Sequence, residues 1–598
     1  MSRRAGLTLA PAPSLLQAVV VLLLAAGSNP SDAAAQERPL SPGDSADLVD
    51  EARDRQRDFE LFRQSRIPVQ AQRSEGSCDQ RIGRICIWFG GEEEEDFPPE
   101  RPETEVARRS LIGTLLQTTE KVKDPWVIGQ LVYYLVEQRD FRLAETVARD
   151  CGIEDSWWCS ALSGYSLHVR GEFVRAEAAF REALSAMPDE ERARWVNLLY
   201  VLPRDVAEDF QRLEPAERER QWELFWRLSD PLFAVDGNDR LTDHFARWVE
   251  ARNREDAENP QMFWEEDMEE TLIRYGRIMG WSRTHVPAAM VRPGRGLNLQ
   301  DTRQIVGHHN PMSRGYLFPE EFLESPSDIP PESWITAPRV ARAWYAPPYT
   351  PDFRGLETQV GRFRRGDQML VVGAYRPTPD TTGTDGAAWA PDGAIESALF
   401  LVPVDGGPLH EAWGIRAEGV LTLLAPPGRY VSSLEVLDAE AGRAWRARQG
   451  VKQVPLIRGL VAVSDLLILE EGAPPVESLD GAIPHVRPGV RIARGERFSV
   501  VWEVYGLGVE DPAQVTIGFT RGRPAFLTRV GEFLGMLEPD RPVEVTFADP
   551  GSDRVQSAFR SVFLELPELE PGEYTLHLRL DLPGREPSIT SRPILVVE

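Results

Sequence analysis

The spacing of apolar positions changes twice along this chain. Between residues 105 and 276 they fall three and four apart, the period of amphipathic helices. From 282 to 350 no period holds, and prolines recur. From Leu356 onward apolar and polar positions alternate, the period of strands with one buried face. The pattern predicts a multidomain α + β chain. A helical array and a helical block come first, then a proline-rich connection over 282–354. Two antiparallel β-sandwiches follow, over 355–472 and 473–598.

The densest aromatic stretch is 222–276, inside a helical block spanning 211–281. Trp222, Phe225 and Trp226 share one helix face, and Asp230-Pro231 stops that helix because a residue before proline is pushed out of the α region. Thr242 is placed to cap the next helix, where Phe245, Trp248 and Val249 repeat the spacing. A third element carries Glu269, Leu272, Ile273 and Tyr275 and ends at Gly276.

Upstream, over 105–210, Gly164, Gly171, Phe173, Ala176, Phe180, Ala183 and Pro188 resemble a tetratricopeptide repeat. Small residues at Gly164 and Ala176 let two helices approach, Phe180 fills the groove between them, and Pro188 ends the second. An earlier, degenerate copy runs through Leu135, Phe141, Ala144 and Ala148, with Val132 where the glycine belongs. The 222–276 stretch resembles the GWxTD domain. Phe225-Trp226 and Asp230-Pro231 match its opening, Trp264 and Asp267 its motif, and Ile273, Arg274, Tyr275 and Gly276 its end. Phe263 stands for the motif glycine, Glu266 for its threonine, and Arg277-Ile278 for the following prolines. The resemblance implies architecture and no established activity; the aromatic content of the block predicts a structural joint between repeats and sandwiches.

In the β half, strands are expected at 368–374, 396–402, 419–424, 429–436, 451–454 and 466–469, then in a second set from Arg497. Each set has a Pro-Gly turn leading into a tyrosine, Tyr430 and Tyr574, before an alternating strand. That resembles the tyrosine corner of immunoglobulin-like sandwiches. Residues 525–537 have helical spacing, so a helix is expected between strands of the second module.

Composition adds a compartment. Residues 1–35 read as a secretory signal peptide: Arg3 and Arg4, an apolar run at 15–26, and Ala33-Ala34-Ala35 before Gln36. Export to the periplasm of a diderm bacterium, or secretion, is expected, with no membrane span after cleavage. Residues 36–104 are expected to be a polar lead-in with a Cys78–Cys86 loop, mobile or loosely helical over 36–65. The four cysteines fall in two equally spaced pairs. Local disulfides Cys78–Cys86 and Cys151–Cys159 fit export, and the rival is one zinc ion on four thiolates, whose ligand pairs are normally closer. A formal charge of −27 argues against nucleic-acid or anionic-membrane partners.

No reaction is legible. There is no nucleophile elbow, phosphate loop or dinucleotide fingerprint, and no cofactor is expected. His308-His309 is the one suggestive cluster, but adjacent histidines rarely reach one ion. Three functions stand side by side. The first is a non-enzymatic protein–protein interaction or scaffold protein, with other exported proteins as partners. The second is a metal-assisted hydrolase using His308, His309, Asp267 or Glu269. The third is a glycan-binding protein stacking sugars on Trp389, Trp413, Trp445 or Trp502.

Overall fold

In the computed structural model of the chain, the described residues are 41–70, 80–83, 85–87, 99–154, 156–259, 263–285, 303–309, 314–316, 325–329, 331–334, 341–350, 352–378, 395–456, 460–508, 512–522, 543–549, 557–566 and 569–598. The signal-peptide region, Cys78, Trp389 and the expected helix at 525–537 lie outside them.

The N-terminal part is helical: α1 (Pro42–Ser65), α2 (Pro102–Lys121), α3 (Pro125–Glu137), α4 (Phe141–Arg149), α5 (Trp157–His168), α6 (Phe173–Ala186), α7 (Asp189–Trp195), α8 (Arg204–Arg212), α9 (Pro215–Ser229), α10 (Asp239–Glu255) and α11 (Glu266–Tyr275). From α1 to α6 each helix packs on the next. Proline at the first position of α2, α3 and α9 supplies a pre-set φ where no N–H is needed. In the α5–α6 hairpin a Cβ on Gly164 would lie 2.8 Å from the Phe180 ring, so only glycine permits that approach. Met187 before Pro188 is extended, and α6 stops at Ala186.

Within the lead-in, Pro42–Ser65 is a regular helix. Ser41 and Asp44 cap α1 reciprocally, and α1 docks on α2. Its buried face is mixed: Ala52 and Phe59 join the apolar core, while Gln56 donates to the Tyr134 hydroxyl at 3.1 Å and that hydroxyl donates to Glu60 at 2.8 Å. α10 lies across α3, α5 and α6 and is flanked by α9 and α11. Its Phe245, Trp248 and Val249 join the array's apolar core.

The connection over 282–354 also holds regular structure. Gly280–His285 pairs antiparallel with Arg303–His308 and parallel with Val69–Gln70. Arg314–Tyr316 pairs with Ala343–Tyr345. The long strand Asp352–Arg365 starts inside the expected connection. Its first residues pair parallel with Arg443–Lys452, and from Leu356 it pairs antiparallel with Gln368–Pro377. It therefore bridges the two layers of the first β module. One layer holds His410–Gly414, Ile395–Pro403, Arg429–Asp438 and Arg443–Lys452; the other adds Gly419–Ala425. Met369 and Val371 from one layer meet Leu399, Leu434 and Trp445 from the other.

In the second module, Arg497–Tyr505 pairs with Ser557–Glu565, and a five-stranded sheet of Arg491–Ala493, Ser588–Val597, Gly572–Asp581, Ala513–Arg521 and Val543–Asp549 faces it. Leu467 and Ile468 pair with Val501 and Val500 of this module. The 466–469 strand thus belongs to the second sheet rather than closing the first. The reason is register: Leu466 and Ile468 face the second core, whereas Leu467 and Leu469 fill the seam between modules.

Candidate functional site

The 222–276 block is gripped by the first sandwich. Ser229 ends α9, and Asp230 Oδ1 accepts the Leu232 N–H at 3.1 Å in the turn that follows. Arg448, on the Arg443–Lys452 strand, donates to the carbonyls of Leu228 and Asp230, both at 2.7 Å. Arg446 donates to the Pro231 carbonyl at 2.8 Å. Glu435, wholly buried, lies 3.5 Å from Arg448 and accepts the Ala234 N–H at 3.0 Å. Phe225 and Trp226 pack with Val402 and Val431 of the sandwich.

Asn238, not Thr242, caps α10, through a 2.8 Å bond from the Leu241 N–H. Thr242 is one turn too deep; its hydroxyl lies 3.1 Å from the Asp239 carbonyl and 2.9 Å from His168 Nδ1. Asp239 accepts from the Tyr345 hydroxyl at 2.5 Å and the Tyr349 hydroxyl at 3.3 Å. Burial is the main force raising its carboxyl, to about 7. Burial likewise pushes Asp230 well above the carboxylate range, helped by the Asp239 charge and opposed by Arg448. Two buried acids thus sit at the seam between helices and sandwich.

α11 ends at Gly276, whose φ of 82° is the left-handed conformation glycine favours. The motif-like residues of this helix point to separate partners. Trp264 is half-buried against the helical core and Phe263 is exposed. Asp267 lies in the first turn, beside Gly83. Glu269 binds Arg194 and accepts from the Tyr200 hydroxyl at 3.2 Å. Arg274 pairs with Glu270 at 2.8 Å and donates to the Arg342 carbonyl at 2.9 Å, so its carboxylate partner is Glu270, one helical turn before it. His308 Nε2 lies 2.7 Å from the Ser282 hydroxyl. His309 sits beside Tyr275 and Trp344, where burial lowers it to about 4.

The tryptophans expected to stack sugars are placed differently from one another. Trp445 and Trp502 are core residues, and Trp413 is half-buried against Phe400. Tyr430 is buried and its hydroxyl donates to the Pro426 carbonyl at 2.9 Å; the Tyr574 ring is buried in the second core. Cys151 and Cys159 form a disulfide. Among the described residues, no group of three or more histidine, cysteine or acidic side chains is placed to hold a metal, and no helix is long and apolar enough to cross a membrane.

A cleft of about 470 Å³ lies elsewhere. It opens where the C-terminal ends of α1, α3 and α5 meet α10 and the Gly280–His285 strand, and neither Asp267, Glu269, Arg274, His308 nor His309 lines it. Glu137 is its ionic centre, meeting Arg63 at 2.7 Å, Arg108 at 2.9 Å and Arg277 at 3.4 Å. Burial alone would raise this carboxyl; the three guanidiniums outweigh it and hold it well below the usual range. Glu250 accepts from the Tyr165 hydroxyl at 2.8 Å, and burial together with that charge pushes the phenol well up. Burial lowers His168 to about 4, leaving a neutral imidazole in the wall at pH 7.

Arg139 stands at the rim. It closes α3 at φ 62°, the only non-glycine residue with positive φ among the described ones. The Asp140 N–H reaches the Leu135 carbonyl at 2.9 Å and the Arg139 N–H that of Val136 at 3.0 Å, a helix stop that normally uses glycine. A side chain there costs about 1–2 kcal/mol. None of these residues stood out in the sequence, where scattered arginines and glutamates read as solvated faces. The one available signal was an arginine directly after a helical run, in the place of a C-terminal glycine.

No family model matches the chain, and no curated protein matches it. Among solved structures, red sea bream transglutaminase is 10% identical at a TM-score of 0.13, over 40% of this chain and 31% of its own length. The chicken CNTN1 FN1–FN3 domains are 10% identical at 0.14, over 42% of this chain and 69% of theirs. The C-terminal domain of the Streptococcus agalactiae AgI/II polypeptide BspA is 8% identical at 0.13, over 41% of this chain and all of its own. Likeness at these scores carries no functional argument.

Proposed function

We propose that this chain is an exported, non-enzymatic interaction or scaffold protein of the GWxTD kind, with tetratricopeptide-like helical hairpins and two immunoglobulin-like sandwiches. One observation carries the reading: several polar groups of the 222–276 block tie it to other elements of the chain. Asp239, Arg247 and Glu269 through their side chains, and Asp230 through its backbone carbonyl, each bond to another element of the chain, an arrangement that fixes geometry. Glu435 and Arg448 complete the joint from the sandwich side. The α10 helix also lies on the hairpins that a tetratricopeptide array would offer to a peptide, so partners would meet outer surfaces of the helices or the sandwiches.

The test is cross-linked capture of partners by the mature protein from envelope extract, run beside hydrolytic assays. The reading expects recovery of a discrete exported protein in near-stoichiometric amount, undiminished by His309→Ala or Asp267→Asn. Hydrolytic turnover that either substitution abolishes would overturn it.

A further inference from the structure

We propose that the cleft between α1, α3, α5 and α10 is a binding site for a small organic carboxylate with an apolar body, its head group held by Arg66 and Arg139. The charge pattern motivates this. The deep guanidiniums, Arg63, Arg108 and Arg277, are already engaged by Glu137 and its neighbours. Arg66 and Arg139 have no carboxylate partner among the described residues, although both line the same cleft. Arg66 instead lies flat on the Phe62 ring, 3.5 Å from its centre, and donates to the Phe62 carbonyl at 3.4 Å. Two cations facing one opening, in a chain of formal charge −27, form a local anion trap. Guanidinium forks suit planar carboxylates.

The rest of the wall selects the body of the ligand. Ile67 and Val136 are buried, Phe141 and Trp281 are partly buried, and Met279 is exposed at the opening. They leave apolar surface beside the cations, and the volume lies in the range of clefts that enclose small ligands. The backbone supplies an independent observation. Arg139 occupies a left-handed position that glycine would fill without strain, and strain of this kind concentrates where a side chain is needed for binding. Arginine there places its charge at the rim.

The test uses the full mature chain and octanoate as probe, followed by calorimetry and by thermal shift. Octanoate should bind and raise the melting temperature, while octanamide, which keeps the chain and loses the charge, and acetate and inorganic phosphate, which lack the apolar body, should bind at least about tenfold more weakly. Arg139→Gly should weaken octanoate about tenfold or more while leaving the unliganded protein as stable as before or more so. Arg66→Gln should weaken it similarly with folding intact. A purely structural Arg139 would leave binding unmoved. The proposal is overturned if octanoate fails to bind at millimolar concentration, if octanamide or phosphate binds as tightly, or if either variant keeps the parent affinity.

Discussion

The α10 helix and the Gln368–Pro377 strand are both almost wholly buried, and by opposite means. From Met369 to Tyr375 the strand buries only apolar side chains and one glycine. Of α10's seventeen residues, Asp239, Arg240, Thr242, His244, Arg247, Glu250 and Asn253 are buried and polar. The strand is held by area removed from water. The helix is held by partners as well as by its apolar face: Arg247 on the carbonyls of Ile273 and Trp344 at 2.9 and 2.7 Å, Glu250 on Tyr165, Asp239 on Tyr345. An apolar interior tolerates imperfect neighbours, whereas a polar one must have each partner in place, because an unmatched buried charge costs more than its pair contributes.

That difference can be broken at the joint first. Arg448→Ala strips Glu435 of its cation and two carbonyls of their donor, and should cost about 3–5 kcal/mol; chemical denaturation should also resolve separate helical and sandwich transitions. A single unfolding transition at the parent midpoint would mean that the ionic grip is dispensable. The apolar counterpart is Leu399→Ala, fully buried in the first sandwich. It should cost about 2–5 kcal/mol through transfer and cavity without separating the transitions.

The polar seam should also respond to pH. Asp239 titrates near 7 in the folded chain, against about 3.9 unfolded. The folded state therefore holds the extra proton between those values. Its stabilisation is complete below the unfolded value and is lost as pH rises through about 7, a change of order a few kcal/mol. Asp230 and Asp243 act on it, Asp243 being paired with Arg240, and Tyr345 and Tyr349 donate to it. The melting temperature should fall from pH 5 to pH 8, and Asp239→Asn should flatten that fall; an unchanged slope would place the titration elsewhere.

Smaller effects remain. Reducing Cys151–Cys159 frees a short loop before α5 and should cost about 2–3 kcal/mol, read as a lower melting temperature in reductant. Tyr430→Phe removes the bond to Pro426 and should cost about 0.5–1.5 kcal/mol, detectable by denaturant midpoint.

Legibility in the sequence follows the same division. Sandwich strands were visible where alternation writes the core face directly into the chain, as in Leu576, Leu578 and Leu580, which all lie in the second core. The stop at Asp230-Pro231 and the end at Gly276 were visible because proline and glycine restrict the backbone locally. The role of α1 was hidden: beside Ala52 and Phe59 its buried face holds Gln56, Glu60 and Gln64, which read as solvent-facing until Tyr134 is placed beside them. The short strands at Gly280–His285 and Arg303–His308 were hidden because pairing across a gap leaves no local period. The cleft was hidden for both reasons, since Arg63, Glu137 and Arg277 are polar and meet only through the fold.

The account rests on α10 being a fixed interior helix of the array. Amide hydrogen exchange along the full chain tests this most directly. The amides of residues 243–255 should exchange as slowly as those of α5 and the Arg429–Asp438 strand. Rapid exchange in α10 while α5 stays protected would mean that it undocks and leaves the hairpins open, and the joint would not be one.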